Sequence, residues 1–129
     1  MLPTDARYLP THEWCKVEQG VVVIGLTPQG VASLGDIVFV ELPEVGDDVL
    51  HEVPFAEIEG AKSVRDVSSP IDGMVTAVNP KLSQKPELIS KDPFGEGWLI
   101  RVRPEGAPKL DSTLSAADYD TLLKKSRPR

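Results

Sequence analysis

Hydrophobic positions along this chain fall in short runs separated by prolines and glycines, which is the punctuation of a β-rich protein. Val21-Val22-Val23-Ile24, Ile37-Val38-Phe39-Val40-Glu41-Leu42, Phe55-Ala56-Glu57-Ile58, Met74-Val75-Thr76-Ala77-Val78 and Trp98-Leu99-Ile100-Arg101-Val102 are predicted strands. Their β-branched content suits a pleated, packed surface. Over 55–58 and 98–102 polar residues alternate with apolar ones, so one sheet face is expected to be buried and the other solvated. Two helices interrupt this pattern. Thr27 before Pro28 reads as an N-cap and first helical position and Gly35 as the stop, predicting a helix over 28–34. Ser115 and Asp118 have N-cap and N3 spacing, with Leu114 and Tyr119 placed to pack around them. A terminal helix over 116–124 follows, docking through Tyr119, Leu122 and Leu123.

The stretch from 45 to 75 contains a half-repeat: Val45-Gly46-Asp47-Asp48-Val49 and Ile71-Asp72-Gly73-Met74-Val75 both read as a turn entering a strand. Between them, Ile58-Glu59-Gly60-Ala61-Lys62-Ser63-Val64-Arg65-Asp66-Val67 is strand-like at both ends with small residues at its centre, predicting a hairpin tipped by Lys62.

Composition narrows the class. The 129 residues are enough for one domain with one core, placed at 1–123, with 124–129 as a basic, disordered tail. The single cysteine, Cys15, has no intrachain partner, and no Cys/His spacing suits a metal, so a reducing, cytoplasmic setting is expected. No signal-like start and no membrane-length apolar run is present. Net charge is −6, but Lys124, Lys125, Arg127 and Arg129 crowd the end; the rest holds ten basic and twenty acidic side chains, or −10. Nucleic-acid binding needs clustered cations on a folded face, so that class is set aside, as is membrane binding.

A lysine in a turn is ordinarily a solvated charge. At the end of a narrow hairpin it can instead be the primary amine on which a swinging-arm cofactor is built, and Gly60 and Ala61 leave that tip unobstructed. A lipoyl-lysine arm reaches roughly 14 Å, beyond any unmodified side chain. The series Val45-Gly46-Asp47-Asp48-Val49, Pro54-Phe55, Lys62 and Ser69-Pro70-Ile71-Asp72-Gly73-Met74-Val75 resembles the lipoyl/biotinyl-carrier pattern. Biotinylated members place methionine on both sides of the lysine; Lys62 sits between Ala61 and Ser63, which favours lipoate.

Further motifs resemble the H proteins of the glycine cleavage system: His12-Glu13-Trp14, Leu34-Gly35-Asp36-Ile37-Val38-Phe39-Val40-Glu41-Leu42-Pro43, Pro86-Glu87-Leu88-Ile89, and Asp92-Pro93-Phe94-Gly95-Glu96-Gly97-Trp98-Leu99-Ile100. The similarity runs in order from about Tyr8 to Leu123. It implies a mainly β fold, a barrel-sandwich hybrid of two small antiparallel sheets with a short internal helix and a C-terminal helix. It also implies a monomeric, non-catalytic carrier with lipoate on Lys62. A pyridoxal-phosphate glycine decarboxylase would load the aminomethyl group of glycine onto the arm with loss of carbon dioxide. A tetrahydrofolate-dependent aminomethyltransferase would unload it, and dihydrolipoamide dehydrogenase would reoxidise the dithiol. A lipoate ligase or a lipoyl/octanoyl transferase would attach the cofactor, reading a recognition hairpin that includes Glu59, Gly60, Ala61 and Ser63.

The resemblance further implies a cleft at Thr11, Glu13 and Asp66 where the loaded arm, with its cationic amine and labile carbon–sulfur link, is sheltered from water. Read without it, Glu13 is a solvated strand carboxylate and Asp66 a hairpin charge beside Arg65. His12 is expected to be a packing or hydrogen-bonding residue, Trp14 and Trp98 sheet or core aromatics, Cys15 a small packed residue and His51 a loop residue. The family usually reads glutamate-serine-valine-lysine-alanine where this chain has Glu59-Gly60-Ala61-Lys62-Ser63, followed by Val64 and Arg65. Such changes also fit a paralogous lipoate-binding carrier, as in bacterial sulfur oxidation. A free-standing hydrolase or transferase built on His12, Glu13 and Asp66 lacks any nucleophile elbow, phosphate loop or triad order. An unlipoylated interaction module is the remaining class.

Overall fold

Antiparallel pairing organises the computed structural model, which describes residues 2–107, 110 and 113–126. Strands β1 (Arg7–Tyr8), β2 (Glu13–Glu18), β3 (Val21–Leu26), β5 (Asp48–Val49), β8 (Gly73–Val78) and β9 (Ile100–Pro104) form a sheet in the order β1-β2-β3-β9-β8-β5. Strands β4 (Ile37–Glu41), β6 (Pro54–Gly60) and β7 (Val64–Ser68) form a second, ordered β4-β6-β7. The half-repeats pair with each other, Asp48 opposite Met74 and Val49 opposite Gly73. Ile24, Val75 and Val102 of the larger sheet and Ile37, Ile58 and Val67 of the smaller share one buried core. Each such side chain contributes about 1.5–3 kcal/mol on burial. The alternation predicted over 55–58 is observed: Ala56 and Ile58 are buried and Glu57 is exposed. The arrangement is the mainly β, two-sheet fold with an internal and a C-terminal helix.

Both expected helices form. In α1 (Pro28–Ala32) the Thr27 hydroxyl accepts a hydrogen bond from the Gly30 amide at 3.3 Å. This helix ends earlier than the glycine signal suggests, with Ser33 as its C-cap; Gly35, at φ +73°, turns the chain toward β4 instead. In α3 (Ala116–Ser126) the Ser115 hydroxyl accepts from the Asp118 amide at 3.1 Å, and buried Tyr119 stacks on Tyr8 at 4.9 Å. The helix runs past 124, so Lys124 and Lys125 belong to it, with Lys124 3.1 Å from Asp120 one turn back. The boundary expected at 124 therefore falls inside a helix, and 127–129 lie outside the described residues.

The run at 98–102 does not become a strand from its start. Asn79 takes the Trp98 carbonyl with its side-chain amide (2.8 Å), and β9 begins at Ile100. Two helical pieces were not expected: a 3-10 turn over Pro80–Ser83 and α2 (Leu88–Lys91).

Candidate functional site

Strands β6 and β7 pair from Pro54–Ser68 to Glu59–Val64, and the Gly60 amide donates to the Ser63 carbonyl at 2.8 Å, leaving Ala61 and Lys62 as a two-residue loop. Two-residue hairpins ordinarily use primed turns with positive φ. None of residues 60–63 has one. The loop is held from outside: the Ala61 amide donates to the Asp36 carbonyl (2.8 Å) and the Lys62 amide to the Leu34 carbonyl (2.9 Å). The α1–β4 connection is thus a strap under the tip. Two glycines permit the close approach. A Cβ at Gly60 would stand 2.1 Å from the Leu34 oxygen, and one at Gly35 would stand 3.0 Å from Lys62 Cγ. Lys62 itself is exposed. The result is an exposed primary amine on a loop whose Ala61 and Lys62 amides are already satisfied.

Thr11 and Glu13 are brought together beside the same hairpin. The Glu13 carboxylate, 1% exposed, accepts from the Thr11 hydroxyl and, at 2.9 Å, from the Ser68 amide at the far end of β7. Burial holds the Glu13 carboxyl above its ordinary range, an effect that these hydrogen bonds and Arg65 only partly offset. A solvated strand carboxylate does not describe it. Next to this pair lies a cleft of about 360 Å³ lined by Leu9, Pro10, Thr11, Glu52, Ser68 and Ser69. Asp66 is not brought to the pair: it is exposed, opposite Glu57 on the other face of the hairpin. Its neighbour Arg65 reaches the Thr11 carbonyl instead, at 3.0 Å. The alternation of β7 explains this, since Arg65 shares the inward parity of Val67.

His12 hydrogen-bonds through Nδ1 to the Tyr119 hydroxyl at 2.7 Å, which also meets the Thr27 hydroxyl at 2.8 Å. Burial pushes the His12 pKa down, which favours a neutral ring. Trp14 is a core aromatic whose indole donates to the Pro93 carbonyl at 3.0 Å, and Trp98 lies under the Arg101 guanidinium. Cys15 is fully buried, its thiol pushed up to about 12 by desolvation. His51 is exposed and forms an isolated bridge with Ser69. Glu59, Gly60, Ala61 and Ser63 all sit at or beside the tip.

Sequence reasoning missed the strap at Leu34 and Asp36, Arg65 as the contact to Thr11, and the Ser68 amide. The two strap contacts and the Ser68 contact run through backbone groups, which leave no mark on residue type. A usable signal did exist for Arg65, its even spacing from Val67 along β7.

Residues 6–126 match the family model described as glycine cleavage H-protein. A probable glycine cleavage system H protein of Natronomonas pharaonis is 47% identical over 122 residues, covering 95% of this chain and 96% of that one. The glycine cleavage system H protein of Rubrobacter xylanophilus is 46% identical over 123 residues, covering 95% of each. The crystal structure of a glycine cleavage system H protein from Mycobacterium marinum superposes with a TM-score of 0.87 at 35% identity, covering 95% of this chain and 99% of that one.

Proposed function

Since the chain belongs to the glycine cleavage H-protein family, we propose that it is a carrier whose lipoyl cofactor is joined by an amide to Lys62 and which shuttles the aminomethyl group of glycine. The observation that carries this reading is the placement of Lys62, an exposed amine on a two-residue loop braced by the Leu34 and Asp36 carbonyls. The donor set fits the group: one unobstructed amine, with no neighbouring Cβ over the Gly35 side of its stem. Attachment is acyl transfer. Deprotonated Nζ attacks an activated lipoyl carbonyl, the C–N bond forms as the bond to the activating group breaks, and the surplus amine proton leaves to solvent.

When bound, the dithiolane supplies a disulfide that takes up the aminomethyl carbon and is itself reduced; that chemistry belongs to the cofactor and to the partner enzymes. This chain anchors, aims and shelters. The strap confines motion of the arm to its own rotatable bonds, because the loop backbone is already committed. Thr11 and Glu13 form the wall against which the loaded arm folds, and an ammonium brought beside the buried Glu13 draws its carboxyl back toward the ionised form. Asp66, on the other face of the hairpin, stands apart from this wall, and Arg65 contacts Thr11 in its place. The pyridoxal-phosphate decarboxylase, the tetrahydrofolate-dependent aminomethyltransferase and the dihydrolipoamide dehydrogenase act on the arm in turn, and no residue here is catalytic.

The test is intact-mass and peptide analysis of protein from its own host, with a lipoyl adduct expected on Lys62. Lys62→Arg should keep the wild-type thermal midpoint and lose the adduct and all carrier activity, because a guanidinium is not acylated in this way. Exchange of the glycine carboxyl carbon with labelled bicarbonate, in the presence of the decarboxylase, is expected; its absence from fully lipoylated protein would assign the carrier to another pathway such as sulfur oxidation.

A further inference from the structure

The outer face of the small sheet carries two cross-strand rows beside Lys62. In the first, Phe39 of β4 faces Glu59 of β6, which faces Val64 of β7. In the second, Glu41 faces Glu57, which faces Asp66. Directly opposed residues share a face with Cβ atoms about 5 Å apart. Phe39 and Val64 are 55% and 52% exposed, and Val38, at the irregularity between Ile37 and Phe39, is 53% exposed. Large apolar side chains gathered beside a single reactive amine mark a surface that another molecule covers.

The second row states what kind of molecule. Like charges set directly opposite one another disfavour the sheet that carries them. Among the described residues none of Glu41, Glu57 and Asp66 has an ion-pair partner. A partner surface that offers an apolar patch edged by lysines and arginines removes the repulsion and covers the hydrophobes together, with the polar rim and apolar centre usual for a protein interface.

We propose that this face, Val38, Phe39 and Val64 with the Glu41–Glu57–Asp66 row behind them, is the docking surface for the enzyme that acylates Lys62. The inference rests on the reading of Lys62 as the attachment site. Distance selects that enzyme among the partners. An acylating enzyme must take Nζ itself into its active site, which brings its rim down on residues next to the tip; Val64 is two residues from Lys62, at most about 7 Å along the chain. The other partners react with the end of an arm roughly 14 Å long and engage the chain farther out.

The experiment follows the rate of lipoyl addition to the unmodified full chain by intact mass, using the host's lipoate–protein ligase with lipoate and ATP. Phe39→Ser/Val64→Ser should lower kcat/KM for modification at least tenfold, chiefly through KM, with an unchanged thermal midpoint because both side chains are exposed. Val17→Ser, an exposed apolar residue on β2, should be modified like wild type. Glu41→Gln/Glu57→Gln should slow modification at low salt and flatten its salt dependence. After prolonged modification the Phe39/Val64 variant should support decarboxylase exchange within twofold of wild type. Wild-type rates of lipoyl addition in the Phe39/Val64 variant overturn the proposal, as does an equal loss in modification and in decarboxylase exchange. Failure of the wild-type chain to accept lipoate at Lys62 instead removes the functional reading itself.

Discussion

At the level of single residues the tip depends on what is missing from two side chains. Gly60→Ala would place a methyl carbon 2.1 Å from the Leu34 oxygen, so either the strap or the loop must move. The expected outcome is a loss of about 1–3 kcal/mol in urea unfolding together with slowed lipoylation, although Lys62 itself is untouched. Gly35→Ala forces an L residue to φ +73° and should cost about 1 kcal/mol. Glu13 has a distinct pH signature. Its folded pKa lies above the ordinary 4.5, so the folded state retains a proton that the unfolded chain releases. Its contribution is full below about pH 4.5 and declines as pH rises through the folded value. His12 acts in the opposite sense: its folded pKa is below 6.5, so its contribution is present above that pH and lost as pH falls through the folded value. Comparing unfolding free energy against pH for wild type and Glu13→Gln should show the difference between them falling as pH rises above 4.5; a flat difference would refute the burial argument.

Among the elements, α3 is tied to the site by one hydroxyl. Tyr119 bridges His12, which precedes Glu13, and Thr27, which caps α1. Tyr119→Phe leaves two polar groups short of a partner and should destabilise by about 1–3 kcal/mol, read by chemical denaturation, while Tyr8 stacking is retained. Elements announced by local chemistry were legible in the sequence: Thr27–Pro28 for α1, Ser115 and Asp118 for α3, and the small residues around Lys62 for the hairpin. Asn79–Pro80 carries the same cap-and-proline signal, and the Asn79 side chain does accept the Lys81 amide, so the 3-10 turn was readable by the rule that found α1. The early end of α1 was not, because Gly35 marks a left-handed position and that is compatible with either a helix stop or the strap. The strap itself joins residues far apart in sequence through carbonyls, and no periodicity reports it.

Across the whole molecule, the acidic excess sets the kinetics of association. Net charge −6 should steer basic partner surfaces toward the carrier. Association rates with the decarboxylase, followed by stopped flow, should fall as salt rises from about 0.01 to 0.15 M, where the screening length shortens from roughly 30 to 8 Å. A salt-independent rate would contradict that expectation. The family and the two-sheet architecture were legible because their motifs run in order along nearly the entire chain. The pairing of the two half-repeats with each other follows from register, which strand sequences specify only once partners are known, whereas the turning of Arg65 rather than Asp66 toward Thr11 follows from the parity it shares with Val67.

The bracing of the tip by Leu34 and Asp36 bears on protein engineering. A peptide copied from the hairpin alone, or spliced into a foreign scaffold, would lack the two acceptors that fix its loop and would present its amine as a flopping tag. The smallest portable unit is discontinuous: residues 57–67 and the 34–41 segment, which carries both the strap and the β4 side chains of the docking face, must be transplanted together, in their mutual geometry, for a grafted lysine to become an efficient labelling handle.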